Sequence, residues 1–378
     1  MMKPEMRRIS VAAIGDVLDI NTHSNLPYFL FTEGKRQGVF TDALRLDLSA
    51  FTWKRRFWNL KQLMLGRGVG GFQYSTNFLN ALERQIPTSL LSTCIITFNQ
   101  VFPRADSLRE GGELVHYIDA TLRDLVDNPS YSVRLPSYIL NKALEQEHKN
   151  YATASHVVVF SSWIIPTLVE EYGVDRNKIA HIMPGANVAL PPDWAPPTPT
   201  GRPGIERELI LGFVGKDWQR KGLPFLMKVQ AELAKRGYKV KIRFIGSRPP
   251  DLTSNSAIEI TGFIDKQLEM ERFVHLISSC DIGCLFSSSE AFGLSTIEFL
   301  RTGVPVAGFY HQGLRDTLLE GASFRFKPGD HPEEVADAFE QFIRNDDLRH
   351  EMKGRAWSYS NEVTWAACVA RFKKLIAS

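Results

Sequence analysis

Short runs of apolar, mostly β-branched residues alternate along this chain with longer stretches of helical apolar period, and this alternation restricts the fold more than any other feature. The runs are ISVAAIG (9–15), LSTCIITF (91–98), GELVHYID (112–119), HVVVFSS (156–162), LILGFVG (209–215), VKIRFIG (240–246), AIEITG (257–262), DIGCLFS (281–287) and VPVAGF (304–309). They lack strict alternation of apolar and polar residues, which is typical of parallel strands covered by helices on both faces. The predicted class is therefore α/β, with doubly wound, Rossmann-like parallel sheets.

A proline-rich stretch, ANVALPPDWAPPTPTGRPG (186–204), interrupts this alternation near the middle of the chain. It can continue neither a strand nor a helix, so we interpret it as a linker. The 378 residues are also many for one hydrophobic core. The sequence predicts two Rossmann-like domains facing a cleft, at 1–185 and 205–356.

The end of the chain predicts a helix that leaves the second domain. Residues 334–356 read as one helix, and another follows within 357–378. In the latter, Trp365, Val369, Phe372 and Ile376 recur at spacings that mark one helical face. We expect residues 361–378 to join the first domain, with Trp365 and Phe372 docked on it.

Composition sets broad limits on function and location. A formal net charge of +3 gives no global field that would attract nucleic acid. No run of eighteen apolar residues predicts a membrane-spanning helix. The four cysteines lack metal-ligand spacing and there is no N-x-S/T sequon, which fits a reducing cytoplasm. The apolar stretch near the N-terminus runs into Asp16, which favours a first strand over a signal peptide.

Two lysines follow the strand predicted at 209–215. Lys216 and Lys221 lie in GKDWQRKG (215–222), and a helix is expected from about Leu223. Cationic side chains beside unpaired helix amides attract an anion such as phosphate. The alternative is a solvated basic turn.

Two carboxylates lie seven residues apart in SSSEAFGLSTIE (287–298), around the start of a predicted helix near Gly293. The amides from Phe292 to Leu294 would face the same anion as the lysines. Glu290, on the loop, could accept hydrogen bonds from sugar hydroxyls, or it could cap the helix. Glu298, more than a turn inside, could hold two vicinal hydroxyls, as on a ribose, or it could face solvent.

This segment resembles the E-x7-E signature of retaining glycosyltransferases with the two-domain GT-B architecture, in the large family 4 (glycosyltransferase group 1). GFVGKDWQRKG resembles the phosphate-binding turn of that family and brings Gly215 into the donor site, with Lys216 where arginine is more usual. GFID (262–265) resembles its nucleobase-contacting turn, which assigns Phe263 and Ile264 to the donor. The resemblance extends over residues 156–360.

In the first domain the resemblance is looser. The family has a residue, commonly histidine, that faces the transferred sugar, and Asp119 of HYIDATLRD (116–124) occupies the corresponding place. Asp119 could also cap the next helix, while His116 is expected in the core. The family's glycine-rich turn corresponds to NTHSNLPYFL (21–30), which has no paired glycines and presents Ser24 and Asn25 as an acceptor-side loop.

The resemblance implies a retaining enzyme that moves a sugar from a nucleotide diphosphate sugar to a hydroxyl acceptor, which could be a glycan, a lipid-linked molecule or a small molecule. No cofactor and no metal are expected, because lysines and helix amides would meet the charge of the leaving diphosphate. The family's front-face reaction lets that phosphate help to deprotonate the acceptor, without a protein nucleophile. UDP and GDP both stay open as the nucleotide.

Two alternatives belong to other classes of function. One is a non-catalytic nucleotide-sugar-binding partner of an active paralogue, which the replacement of arginine by Lys216 and of histidine by Asp119 would fit. The other is a Rossmann-type oxidoreductase. GRGVGG (66–71) satisfies G-x-G-x-x-G, but it follows a helix-like segment where the dinucleotide fingerprint needs a strand.

That helix-like segment, 51–67, mixes tryptophans with basic residues. Trp53, Phe57 and Trp58 lie among Lys54, Arg55, Arg56, Lys61 and Arg67. This mixture occurs in helices that contact an anionic membrane surface. It also occurs in ordinary helices with one packed face, so peripheral membrane contact stays open at this point.

Overall fold

The structure, a computed structural model, describes residues 8–66, 70–128, 130–131, 135–198, 200–247 and 256–377. The chain forms two compact units, Met1–Pro184 with Cys368–Ser378, and Gly185–Ala367. Each unit is built on its own six-stranded sheet.

The sheet of the first unit is parallel throughout, in the order β2-β1-β3-β4-β5-β6. Its strands are β1 Ile9–Ala12, β2 Asp42–Ala43, β3 Cys94–Thr97, β4 Glu113–Ile118, β5 His156–Val159 and β6 Ile179–His181. Four of them confirm strands predicted from apolar runs. The other two, β2 and β6, are too short to produce such a run.

In the described part of the first unit, these α-helices accompany the sheet before the chain enters the second unit: α1 Leu26–Arg36, α2 Thr52–Met64, α3 Thr76–Glu83, α4 Leu122–Asp127, α5 Ser137–Thr153 and α6 Ile165–Glu170. Because α2 is a helix, the glycine motif at 66–71 has no strand before it, although its residues 67–69 lie outside the described ranges. Arg67, at the end of the predicted basic segment, lies outside them too.

The sheet of the second unit is also parallel, in the order β12-β11-β10-β7-β8-β9. Its strands are β7 Leu209–Val214, β8 Val240–Ile245, β9 Ile258–Gly262, β10 Ile282–Leu285, β11 Val306–Phe309 and β12 Ser323–Phe326. The remaining helices are α7 Leu223–Lys235, α8 Met270–Ser278, α9 Leu294–Arg301, α10 Leu314–Thr317, α11 Pro332–Arg344, α12 Asp346–Tyr359 and α13 Trp365–Ala377. The prediction of two doubly wound parallel sheets is confirmed.

The single helix predicted over 334–356 is wrong. The chain forms α11 and α12 instead, because Asn345 leaves the helical conformation and its side chain accepts a hydrogen bond from the amide of Leu348 at 3.0 Å. Such an N-cap starts a new helix.

Two glycines bring α9 unusually close to the second sheet. A Cβ atom on Gly212 of β7 would lie 2.6 Å from the ring of Phe299, and one on Gly283 of β10 would lie 2.3 Å from it. Because both positions lack a side chain, the buried Phe299 ring rests directly on the strands. This packing fixes α9, whose N-terminus belongs to the candidate site.

The described residues of 186–204 contain neither helix nor strand, as predicted for the proline-rich stretch. At the other end of the chain, the indole of Trp365 donates to Asn187 at 3.0 Å within the second unit. Phe372 is buried in the first unit, with its ring centroid 4.9 Å from that of Tyr117. The sequence places the domain boundaries at 185 and 361, and the two units divide after Pro184 and before Cys368.

All four cysteines are free and buried, so they pack as small apolar residues. Within the described ranges, no helix has the length and hydropathy needed to cross a bilayer.

Candidate functional site

The residues singled out in the second half of the sequence gather at one edge of the second sheet. The loops involved are 215–222 after β7, 263–266 after β9, 287–293 after β10 and 310–313 after β11. All four leave the carboxyl ends of parallel strands, where sheets of this kind bind ligands.

Lys216 and Lys221 occupy the first of these loops. The Lys216 ammonium lies 4.9 Å from the ring centroid of Phe263, whose side chain is half exposed after β9. The stem of Lys221 runs over Gly215, where an added Cβ would lie 2.4 Å from its Cδ. Among the described residues neither ammonium pairs with a carboxylate, so both charges are available to an anion.

At its end this loop lies directly against the chain that leads into the loop after β10. Gly222 has φ +87°, and a Cβ there would lie 2.1 Å from the carbonyl oxygen of Phe286. The close approach lets the amide of Ser288 donate to the carbonyl of Arg220 at 2.9 Å. Arg220 also donates to the carbonyl of Ser289 at 2.5 Å.

Glu290 is held by side chains rather than by the helix it precedes. Its Oε2 accepts from the Ser287 hydroxyl at 3.0 Å and from Arg220 at 3.4 Å, and its amide donates to Gln312 at 2.9 Å. The alternative of a helix cap is wrong, because the N-cap of α9 is Gly293. Oε1 accepts no hydrogen bond from the described residues, so one carboxylate oxygen is available to a ligand.

The N-terminus of α9 completes this side of the site. Gly293 has φ +93°, and a Cβ there would lie 2.5 Å from the side chain of Leu314. Only glycine fits such a position without strain. The amides of Gly293 and Leu294 belong to the first turn, where helix N–H groups have no partner inside the helix. Phe292, just before them, is buried.

Glu298 lies within α9 and is buried, so the alternative of a solvent-facing glutamate is wrong. Its Oε1 accepts a hydrogen bond from the ammonium of Lys266, in the loop after β9. Burial lowers the pKa of Lys266, while the Glu298 carboxylate opposes that shift and Lys221 adds to it. Oε2 of Glu298 has no partner among the described residues. Ile264, two residues before Lys266, is buried.

The sequence did not reveal Arg220, Lys266, Ser287 or Gln312 as members of the site. Arg220 bonds to a glutamate 70 residues away in sequence, and Lys266 bonds to one 32 residues away. The only sequence feature that could have identified them is their position beside predicted strand ends. Because an uncompensated buried carboxylate is costly, a basic residue beside a strand end is the partner to expect for each of these glutamates.

In the first unit, Asp119 follows β4 and is half-buried. The alternative that Asp119 caps the next helix is wrong. The N-cap is Thr121, whose hydroxyl accepts from the amide of Asp124 while the Asp124 carboxylate accepts from the amide of Thr121. His116, by contrast, is buried in the core as predicted. Burial lowers its pKa to about 4, although a hydrogen bond to the Asn99 carbonyl opposes the shift.

The structure brings His23, which the sequence did not single out, close to Asp119. Although His23 is an exposed residue, the protein around its imidazole lowers its pKa. The negative charge of Asp119 opposes this shift. The ring centroid lies 5.8 Å from that of Phe98, which follows β3. Loops after β1, β3 and β4 therefore meet at one edge of the first sheet.

The loop after β1 adopts left-handed backbone conformations without glycine. The φ angles are +44° at His23, +58° at Ser24 and +71° at Asn25, and α1 starts at the next residue. The Asn25 amide group donates to the carbonyl of Ile20, which helps to hold this turn. Three successive non-glycine residues in this region are uncommon and mark stored strain.

Beside this turn lies a groove of about 740 Å³ in the first unit. It is lined by Asn21, Thr22 and His23, which directly precede Ser24 and Asn25, and by residues that follow β2. Across it, Arg45 pairs with Asp16 at 2.9 Å.

Two Rossmann-like units of this kind define the GT-B class of protein, and solved structures show the same fold. Sucrose-phosphate synthase from Thermosynechococcus elongatus superposes with a TM-score of 0.68 and 14% identity, over 99% of this chain and 98% of that one. HepE from Anabaena, in complex with UDP and glucose, gives a TM-score of 0.64 and 14% identity, over 99% and 100%. At these identities the likeness establishes the fold.

Residues 201–358, within the second unit, match the family "Glycosyl transferases group 1", which is the family that the sequence resembles. D-inositol 3-phosphate glycosyltransferase of Corynebacterium efficiens is 27% identical over 228 residues, which are 55% of this chain and 53% of that protein. Its counterpart from Corynebacterium diphtheriae is 28% identical over 227 residues, 55% and 52%. The chain thus spans about half the length of the curated relatives it matches.

Proposed function

We propose that this protein is a retaining glycosyltransferase that moves a sugar from a nucleotide diphosphate sugar to a hydroxyl acceptor without a metal ion. One observation carries the proposal. Glu290 and Glu298 flank the start of α9, and each has one oxygen held by a basic residue and the other without a partner among the residues that the structure describes. Sugar and ribose hydroxyls are donors of the kind that such oxygens bind.

The donor would lie along this edge with its diphosphate between the two glutamates. Lys216, Lys221 and the first amides of α9 would bind the phosphates and stabilise the charge that develops on the leaving group. Because two ammonium groups lie there without a carboxylate partner among the described residues, the proposed reaction needs no divalent cation for charge balance.

At the nucleotide end, Glu298 would hold the ribose and Phe263 would contact the base. Phe263 is 52% exposed, which is high for a large aromatic residue, so part of its ring is accessible to a base although Lys216 lies over it. The solved structures of HepE and of two other similar proteins, TarM and GtfA, are complexes with UDP. UDP is therefore the first nucleotide to test.

The first unit would supply the acceptor side. Asp119 is the residue proposed to face the transferred sugar, and Ser24 and Asn25 belong to the proposed acceptor-side loop. The groove beside that loop, lined by Thr22 and His23, is large enough for a sugar-sized molecule.

Calorimetric titration with UDP and GDP tests the donor side. Glu298→Gln should weaken binding of the preferred nucleotide by roughly 30- to 150-fold, because it removes a charge-assisted hydrogen-bond acceptor worth about 2–3 kcal/mol. Glu271→Gln, an exposed glutamate on α8, serves as the matched control. Equal affinity in the two variants would reject the role of Glu298.

Turnover separates the enzyme from a non-catalytic binder. Tight nucleotide-sugar binding with no release of sugar, from any donor that binds, would favour the binder. Release of sugar or its transfer to an acceptor would favour the proposed activity, and reduction of a nicotinamide would instead point to an oxidoreductase.

A further inference from the structure

Helix α2 has its apolar side turned away from the protein. The large apolar side chains on that side remain mostly exposed, at 75% for Trp53, 70% for Phe57, 54% for Leu60, 65% for Leu63 and 79% for Met64. A helix on a soluble surface normally does the reverse and packs its apolar stripe on the core. A patch of this size therefore needs an explanation beyond chance exposure.

The side of α2 that faces the protein is anchored by hydrogen bonds and by the ring of Trp58, which packs against Phe72. The amide of Gln62, the helix's one buried residue, donates to the hydroxyl of Tyr138 at 2.9 Å. The indole of Trp58 donates to the carbonyl of Gly70 at 2.9 Å, and the amide of Gly70 donates to Asn59 at 3.2 Å. These bonds fix the rotation of the helix, so the outward direction of the apolar side is built in.

The exposed side has the spacing of one helical face. Trp53, Phe57, Leu60 and Met64 follow one another at intervals of four, three and four residues, which places them along one line of the helix. Thirteen residues give a helix about 20 Å long, too short to cross a bilayer and suited to lying in the plane of its interface.

The charges on α2 all have one sign. Lys54, Arg55, Arg56 and Lys61 are exposed, and the helix contains no acidic residue. The Arg56 guanidinium lies over the ring of Trp53 at 5.0 Å from its centroid, so charge and apolar surface adjoin. Tryptophan, phenylalanine and leucine bordered by basic residues are what an anionic lipid interface binds.

We propose that α2 docks this protein on the surface of an anionic lipid bilayer. Trp53, Phe57, Leu60 and Met64 enter the boundary between headgroups and acyl chains, and Lys54, Arg56 and Lys61, which border that face, pair with lipid phosphates. A protein partner would have to offer an apolar groove with acidic edges, whereas any bilayer rich in anionic lipid supplies both features.

Docking through α2 also has a consequence for the first unit. The helix follows a short 3-10 turn, Ser49–Phe51, directly after Leu48, which lines the groove described above. The helix that would bind the bilayer and one wall of that groove are therefore neighbours in sequence. The docking itself is independent of the proposed reaction.

Vesicle flotation with the full chain tests the proposal. We expect wild-type protein to float with vesicles of phosphatidylcholine containing 30 mol% phosphatidylglycerol, and to bind pure phosphatidylcholine roughly 100-fold more weakly. Each basic residue near an anionic surface contributes about a fivefold factor, which makes three of them worth roughly 100-fold. Added salt should weaken the binding.

Two pairs of variants isolate the helix. Trp53→Ser/Phe57→Ser should lower partitioning at least about tenfold, whereas Val169→Ser/Ile205→Ser, which removes two exposed apolar side chains elsewhere, should not. Lys54→Gln/Arg56→Gln/Lys61→Gln, which removes the three charges beside the apolar face, should lower it by roughly 100-fold, whereas the equal charge change Lys142→Gln/Lys373→Gln/Lys374→Gln should not.

Circular dichroism and UDP affinity should match wild type in all four variants, which shows that the fold is retained. Equal flotation of the α2 variants and their controls would overturn the proposal. So would light scattering that shows a dimer lost in Trp53→Ser/Phe57→Ser, together with no vesicle binding, because α2 would then be an interface between two copies of the chain.

Discussion

The pair formed by Lys266 and Glu298 gives the sharpest test of how the candidate site is built. The two side chains are 13% and 3% exposed, so the pair is largely withdrawn from water. Lys266→Met removes the ammonium and keeps most of the volume of the stem. The carboxylate of Glu298 is then buried without a counter-charge.

The expected cost follows from this burial. Removing one partner of a buried ion pair typically destabilises a protein by about 3–5 kcal/mol, because the remaining charge is uncompensated. Lys266 keeps some solvent contact, so we expect about 3 kcal/mol for Lys266→Met. Once Glu298 is already glutamine, the same change should cost about 1 kcal/mol or less, which gives a coupling energy of about 2 kcal/mol.

The second unit offers a matched control. Arg272 and Glu269 on its surface lie 2.5 Å apart, but their side chains are 53% and 36% exposed. The same cycle with Arg272→Met and Glu269→Gln should give a coupling energy below about 0.5 kcal/mol, because water screens an exposed pair.

Urea unfolding followed by pulsed hydrogen exchange of peptides from 258–301 measures these energies. Peptide resolution is needed because a chain of two units need not unfold in one step. If the buried and exposed pairs gave the same coupling energy, the account of Lys266 as the buried partner of Glu298 in the site would be wrong.

Three further predictions concern other parts of the chain. Burial raises the pKa of Glu147 from 4.5 to about 7, although hydroxyls of Tyr172 and Tyr151 and the amide of Leu122 oppose the shift. The folded state then holds the proton more tightly than the unfolded state, so Tm should fall as pH rises from 4.5 to about 7, and Glu147→Gln should flatten this dependence. Lys221→Ala should lower kcat roughly 10²–10³-fold in assays that contain EDTA, whereas loss of wild-type activity in EDTA and its recovery with Mn²⁺ would contradict the metal-free reaction. Ser24→Gly should raise the free energy of unfolding by about 1 kcal/mol and Ser24→Val should lower it, because φ at this position is +58°, and urea titration compares them.

The apolar runs were sufficient to predict most strands of both sheets, because buried parallel strands need such runs. They could not show β12, Ser323–Phe326, where polar and aromatic residues alternate on an edge strand. Nor could helical periodicity show the break at Asn345, where a single side chain ends one helix and starts the next.

The site was predictable where its residues adjoin in sequence. Glu290, Gly293 and Glu298 share one loop and one helix, so spacing and the resemblance were enough to single them out. Lys266 reaches Glu298 only because β9 and β10 end at the same edge of the folded sheet. The spacing of residues along the chain does not reveal that contact.

The side of α2 that faces the protein could not be predicted from the sequence, for the same reason. Its composition fits a packed helix as well as an exposed one, and the hydrogen bond from Gln62 to Tyr138 decides which side faces the protein. That bond joins residues 76 positions apart, so only the folded chain resolves the choice.

The central claim, that this chain transfers sugar with retention and without metal, is tested most directly by proton NMR of the sugar released from α-linked donors. The full chain is incubated in EDTA with UDP-glucose, UDP-N-acetylglucosamine and GDP-mannose, and spectra are taken before the free sugar mutarotates. The account predicts slow release of the α-anomer from at least one donor, and its loss in Glu290→Gln. Release of the β-anomer, or a requirement for added divalent metal, would contradict it.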